Sequence, residues 1–377
     1  MTELPYLTAA IPPVPGVLKR FYEDFRVDEV PLYQPAGHGD HVLFRIEKLG
    51  LSTHRAVGDI ARALGVRPGD IGIAGLKDAR AVTTQWLSIE HVEPERVRAL
   101  ELPRIRVLDV ARHPRKLRTG HLQANRFVIR LRDTDLDRVT DVERVLETLS
   151  RRGVPNYFGE QSFGSRGNTG RIGRALIVGD HATAVSLIAG APSDADADDV
   201  LRARELFEAG RYREAADTYP RGYDTAVRIA RAMDRANGDV DRAIRALDRR
   251  SRRFYVHAFQ SELFNRVLAR RIDTLDRVFD GDLAVKHDTG GIFLVEDAAA
   301  EQPRAARFEI SPTGPLFGQK MKLPEGVQAE LEQEILDAEG IDVDVFPATG
   351  PDRVPGARRA LRFPVADATV EPGNDEA

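Results

Sequence analysis

Residues Ile71–Ile89, IGIAGLKDARAVTTQWLSI, decide how the chain is read. Two apolar runs flank Gly75-Leu76-Lys77-Asp78-Ala79-Arg80, which predicts a strand, a tight turn and a second strand. The turn would bring Lys77, Asp78 and Arg80 together. Opposite charge nearby lowers a carboxyl pKa, so Asp78 is expected to be ionised at neutral pH, a candidate nucleophile or base. A solvated surface turn would carry the same residues, so the rest of the chain has to decide.

Working outward from that stretch, Phe25 and Val27 alternate with charged residues, as do Val42, Phe44 and Ile46, and both read as half-buried strands. Ser52 or Thr53 can cap a helix bearing Ala56, Ile60 and Leu64 on one face, with Gly65 as its stop. The loop Gly37–His41 holds His38, Asp40 and His41, but glycine-rich turns collect such residues freely and no metal site is expected. Downstream, Glu93–Leu100 reads as a short helix, and Ile105–Arg112 and His121–Arg132 as strands. The last of these sets Phe127, Ile129 and Leu131 on one face, with Arg126, Arg130 and Arg132 beside them. A helix is expected near 137–151. Strands joined by hairpins, with a few helices, make the fold class α+β.

Past Gly153 the character changes. Residues 156–170 form a glycine- and aromatic-rich loop before a helix, but match neither GxGxxG nor GxxxxGK[ST], so no nucleotide-binding fold is supported. The stretch 198–272 is almost all helical. Within it, 206–219 imitates half of a tetratricopeptide repeat, but no second copy follows and a single unit cannot stack. Tyr255, Phe259, Leu263 and Val267 recur every fourth residue as a core stripe. Then come a strand, turn and strand over 279–296, a turn-rich connector over 311–318, a helix over 325–340 and one more strand within 355–365.

A chain of 377 residues favours two domains. It has no run of about 18 apolar residues and no basic-then-apolar start, so neither a membrane span nor a secretion signal is read. The absence of cysteine excludes disulfides, thiolate nucleophiles and cysteine-held metals, in keeping with a cytoplasmic home. The net charge of −4 hides local basic clusters. Between Arg104 and Arg132 nine Lys or Arg residues face one acid, Asp109, and Arg242, Arg245, Arg249, Arg250, Arg252 and Arg253 form another group. Such surfaces fit a substrate with a phosphate backbone, though solvated faces would look alike.

Six motifs then fall in one order: Glu23–Glu29, Gly75–Asp78 with Ala81–Gln85, Asn125-Arg126-Phe127, Asn156–Phe163, Phe259–Asn265 and Pro312–Gly318. In this the chain resembles the TruD-type tRNA pseudouridine synthases over residues 19 to about 365. The resemblance implies a pseudouridine synthase catalytic domain with a mixed, largely antiparallel sheet over 1–152 and 357–377, interrupted by a TruD-specific insertion domain over 153–356. It implies an isomerase without cofactor or metal, whose partner is tRNA and whose target is a uridine, at position 13 of the D arm. The glycosidic C1′–N1 bond breaks, the uracil turns over and C1′ joins C5.

Carried to this sequence, the resemblance makes Asp78 the catalytic aspartate, either attacking C1′ or removing the 2′ proton. Phe25 and Phe127 become candidate stacking faces, Asn125 a partner for the uracil edge, and Lys19, Lys77 and Arg80 groups that hold phosphate or steady Asp78. Phe127 could equally be core and Lys19 a solvated charge. Two departures stand out. Ala79 occupies a position that is commonly basic, with the charge at Arg80 instead. The chain also reaches Glu371–Ala377 before the strand of the form Phe-x-Leu-Pro-x-Gly-x-Tyr-Ala-Thr with which the family usually ends, so the catalytic sheet is expected to be incomplete. That leaves a non-catalytic RNA-binding relative as the alternative expectation.

Overall fold

The computed structural model describes residues 4–347, 349 and 353–373. The chain divides into two compact units, residues 12–142 with 370–373, and residues 4–11 with 143–369. The acidic end, Asn374–Ala377, lies outside the described residues.

The unit spanning 12–142 is built on one mixed sheet. Its elements are β1 (Val17–Leu18), β2 (Phe25–Pro31), β3 (His41–Leu49), α1 (Thr53–Leu64), β4 (Gly72–Ile73), β5 (Val82–Glu90), α2 (Pro94–Arg98), β6 (Ile105–His113), β7 (Leu122–Ile129) and β8 (Leu131–Arg132). The strands run in the order β6-β3-β5-β2-β7, with β4 also paired to β5. Only β2 and β5 are parallel. In β3 the alternation puts Val42, Phe44 and Ile46 in the core, where they pack with Ala56, Ile60 and Leu64 of α1 and with Leu87 and Ile89 of β5. The Ser52 side chain accepts from the Arg55 N–H at 3.2 Å, and Gly65 ends α1 in the left-handed conformation, φ 73°. Central in the sheet, β5 is buried on both faces, and three of its polar residues find partners. Thr84 donates to Asp28, Gln85 accepts from Thr53, and the Ser88 hydroxyl accepts from the Leu117 N–H.

The tight turn expected within Ile71–Ile89 is in fact a loop. Gly72 and Ile73 pair with Ser88 and Leu87, leaving 74–81 outside the ladder. The loop keeps its form because its backbone groups bond elsewhere: Gly120 N–H donates to the Ala74 carbonyl and Gly50 N–H to the Ala81 carbonyl.

Helix α3 (Val139–Arg152) carries the chain into the other unit. There follow β9 (Val154–Pro155), α4 (Thr169–Val178), α5 (His181–Ala189), α6 (Asp198–Glu208), α7 (Tyr212–Thr218), α8 (Asp224–Arg235), α9 (Val240–Ala243) and α10 (Arg249–Arg270). The remainder is β10 (Leu283–Lys286), β11 (Ile292–Leu294), α11 (Ala298–Ala306), β12 (Ile310–Leu316), α12 (Gly326–Ala338), β13 (Ala357–Ala360) and β14 (Arg362–Phe363). Phe259, Leu263 and Val267 of α10 meet Phe317, Ile335, Leu336 and Phe346 in one buried cluster, and α4 to α9 enclose another.

Two details differ from the sequence reading. Residues 311–318 are no connector, since β12 is an inner strand of the sheet β11-β10-β12-β13. Its prolines and Gly314 suggested turns, but the strand is held by burial and by the Thr313 hydroxyl, which donates to the Leu283 carbonyl at 2.6 Å. The single late strand is broken at Leu361, after which β14 leaves β12 and pairs with β9.

Candidate active site

The loop 74–81 carries Asp78, and buried polar groups grip it on three sides. Lys77 donates its backbone N–H to Thr53 Oγ1 at 2.9 Å, and that hydroxyl in turn donates to Gln85 Oε1 at 2.9 Å. The Lys77 ammonium turns inward to form an ion pair with Glu29 Oε2 at 2.6 Å, while Glu29 Oε1 accepts from the Trp86 N–H at 3.0 Å. From the opposite side Lys48, wholly buried, donates from Nζ to the Leu51 carbonyl at 2.6 Å and the Asp78 carbonyl at 2.8 Å. Burial pushes the Lys48 ammonium down to about 8, with the Asp78 carboxylate opposing the shift and Lys77 adding to it. The backbone on both sides of Asp78 is therefore fixed, while its side chain stays half exposed.

The carboxylate itself meets Lys19, whose Nζ is 3.2 Å from Asp78 Oδ1. That ammonium also lies 3.7 Å from the centroid of the Phe25 ring. Lys19 follows β1, which pairs with β8, and has φ 56°, a left-handed backbone uncommon for a residue with a side chain. Phe25 is nearly buried and meets the edge of Phe127, ring centroids 5.9 Å apart. Phe127 is 52% exposed.

The register of β2 on β7 explains this grouping. Val27 lies opposite Phe127 and Glu29 opposite Asn125, so Phe25, Glu29, Asn125 and Phe127 share one face of the sheet. Asn125 is exposed and makes no side-chain hydrogen bond among the described residues. Arg80, two residues beyond Asp78, is likewise exposed and forms no ion pair among the described residues. All of the residues singled out from the sequence lie in the unit 12–142. Contacts link Lys19, Phe25, Phe127 and Asp78. Lys77 is drawn away to Glu29, and Asn125 and Arg80 stand free around the group.

Lys48, Glu29 and Thr53 were not read as site residues, yet two of them left a trace. Lys48 continues the phase of Val42, Phe44 and Ile46, and Glu29 that of Phe25 and Val27, so each is a charged residue on a core face. A buried charge requires a partner. Among the described residues no three or more His, Asp or Glu side chains gather where they could hold a metal ion.

The site is thus a half-exposed carboxylate on a braced loop, flanked by a cation, an exposed aromatic face and an open amide. It can act as nucleophile or base on a planar, polar substrate held against Phe127. The family model described as tRNA pseudouridine synthase D (TruD) matches residues 1–377. A tRNA pseudouridine synthase D of Geobacter metallireducens is 46% identical over 362 residues, covering 96% of this chain and 90% of that protein. One of Geotalea daltonii is 44% identical over 367 residues, covering 97% and 92%. Among solved structures, a Methanosarcina mazei protein assigned as tRNA pseudouridine synthase D superposes with a TM-score of 0.82 at 24% identity, covering 96% of this chain and 87% of that one, a likeness of fold.

Proposed function

The chain belongs to the tRNA pseudouridine synthase D family, and from that membership we propose that Asp78 is the residue through which it isomerises a uridine of tRNA to pseudouridine. The chain is an isomerase that leaves the composition of its RNA unchanged. The alternative of a relative without turnover is set aside, because synthases of this name match 96% or more of the chain.

The observation that carries the assignment is the contact between Lys19 and Asp78 above a loop whose peptides are held from both sides. A positioned carboxylate can approach C1′ or the 2′ proton of an extruded uridine without first ordering itself. Lys19 holds one oxygen and leaves the other free to act. Phe127 offers a face for the uracil, with Phe25 supporting it from within, and Asn125 offers both a donor and an acceptor to the base edge. Arg80 faces the phosphates. Lys77 steadies the loop through Glu29. We read the target as position 13 of the D arm and the compartment as the cytoplasm. We also read the functional division as a catalytic domain over 1–152 with 357–377 and an insertion domain over 153–356. No described helix is long and apolar enough to cross a membrane.

The test is Asp78→Asn assayed by tritium release from uridine-labelled transcript tRNA. Pseudouridine formation should fall by about a thousandfold or more, while equilibrium binding of the tRNA is kept. Retained turnover would remove Asp78 from the mechanism.

A further inference from the structure

Beside the Asp78 carboxylate lies a concavity, with a volume of about 540 Å³, lined by Arg20, Phe21, Tyr22, Glu23, Gly50, Ala79 and Arg80. We propose that it binds the nucleotide adjacent to the target uridine in the same RNA strand, its base against Tyr22 and Phe21 and its phosphate at Arg80. This rests on the reading of Asp78 as the residue that meets the uridine.

Volume and position both suit such an occupant. Pockets for small molecules measure about 300–1,000 Å³, a range that accommodates one nucleotide. Ala79 and Arg80 line the pocket and directly follow Asp78. With consecutive Cα atoms about 3.8 Å apart, this wall is within about 8 Å of the Asp78 backbone, near enough for a neighbouring nucleotide of one strand.

Its walls have the chemistry of single-stranded RNA recognition, where aromatic faces meet bases and cations meet the backbone. Phe21 is 54% exposed and Tyr22 39% exposed, a large display of aromatic surface for adjacent residues. Neither is loosely held. The Phe21 N–H donates to Asp24 Oδ2 at 2.8 Å, Asp24 is buried against Arg132, and the Arg132 guanidinium lies 5.0 Å from the Phe21 ring centroid. Tyr22 rests on Gly50, where a Cβ would come within 2.9 Å of the ring. Gly50 also has φ 65°, so this backing is open to glycine above other residues. Rings held this way lose little freedom when a base stacks on them.

The charges fit as well. Arg20 is engaged with Asp133. Arg80 has no carboxylate partner among the described residues and is free to meet a phosphate. Glu23 can only accept hydrogen bonds when ionised, which suits the N–H groups of a base and disfavours a second phosphate at that end. The binding site of the reacting uridine, by contrast, is formed by Phe127, Asn125 and Asp78, none of which lines this pocket.

The test is a binding cycle on the full chain. Transcript tRNA is compared with transcripts carrying an abasic nucleotide immediately 5′ or 3′ of the modified uridine, using wild type, Tyr22→Ala and Tyr22→Phe. Tyr22→Ala should weaken binding of intact tRNA by about tenfold, and one of the two abasic transcripts should weaken wild-type binding by a similar factor. Combining variant and abasic transcript should cost no more than either alone, and Tyr22→Phe should bind as wild type does. Factors that multiply, or an unaffected Tyr22→Ala, would overturn the proposal. Arg80→Ala changes an exposed side chain and provides an arm independent of Tyr22 packing. It should reduce the slope of log affinity against log salt by about one, and an unchanged slope counts against the pocket. Tritium release by wild type is measured alongside. Turnover with multiplying factors removes the pocket alone, whereas coupled binding without turnover removes the catalytic reading alone.

Discussion

Lys48 Nζ donates to the main-chain carbonyl of Asp78 across 2.8 Å from a position with no exposure to solvent. A fully buried cation thus sits directly behind the proposed catalytic residue and holds its peptide rather than its carboxylate. The consequences can be measured through pH, through the neighbouring ion pair, and through the exposed ring nearby.

Lys48 should make both stability and activity depend on pH in the alkaline range. Its ammonium titrates at about 8 in the folded chain against 10.5 as the ordinary value. Between those limits the unfolded chain binds the proton and the folded chain does not, so stability rises with pH across this window. Relative to Lys48→Met, wild type should gain at most about 3 kcal/mol from pH 8 to 10.5. Over the same window the charge that holds Asp78 is lost, so pseudouridine formation should fall as pH rises through about 8. Lys48→Met should be slow throughout and lack that limb. An identical alkaline limb in the variant would show that Lys48 is not its source.

The Glu29–Lys77 pair is almost wholly buried, and removing one partner strands the other. Glu29→Gln or Lys77→Met alone should cost about 3–5 kcal/mol, and the double replacement Glu29→Leu with Lys77→Met clearly less than the sum. Trp86 is the sole tryptophan of the chain, and its backbone N–H donates to Glu29, so its fluorescence during urea unfolding reports on this unit. Single variants within about 1 kcal/mol of wild type would mean that the pair behaves as a solvated one.

Phe127 separates binding from packing. With half its surface open and its ring meeting Phe25 edge-on, Phe127→Ala should reduce stability by less than about 1 kcal/mol. Binding of tRNA should weaken by about tenfold if the ring stacks on a base. A large fall in melting temperature with unchanged affinity would return Phe127 to the core.

Gly314 in β12 has no room for a methyl group. A Cβ there would lie 2.8 Å from Leu361 Cδ2 and 3.0 Å from the Phe264 ring, both fully buried. Gly314→Ala should therefore destabilise by about 1–3 kcal/mol, read as a drop in the circular-dichroism melting point. An unchanged melting point would mean that the close approach of β12 to α10 can relax.

Much of the unit 12–142 was legible locally. The alternation of β2 and β3, the Ser52 cap, the Gly65 stop and the charged run around Asp78 depend on neighbours a few residues apart, and near neighbours are what a sequence displays. The strand β12 was hidden because Pro312, Gly314 and Pro315 have strong local turn preferences, which tertiary burial overrode. A tight turn was expected where the loop 74–81 stands, because the bonds that shape it come from Gly50, Gly120, Lys48 and Thr53, distant in sequence.

The sequence by itself determined the α+β class and the family motifs, since both rest on residue type and spacing, and its resemblance to the family proposes Asp78 as the carboxylate. Only the tertiary structure decided what surrounds that carboxylate. Strand register set Phe127 opposite Val27 and Asn125 opposite Glu29, closure of the sheet sent Lys77 to Glu29 instead of Asp78, and Lys19 came to the carboxylate from 59 positions away. These pairings follow from burial and from the need of each buried charge for a partner, conditions that exist only once the sheet has formed.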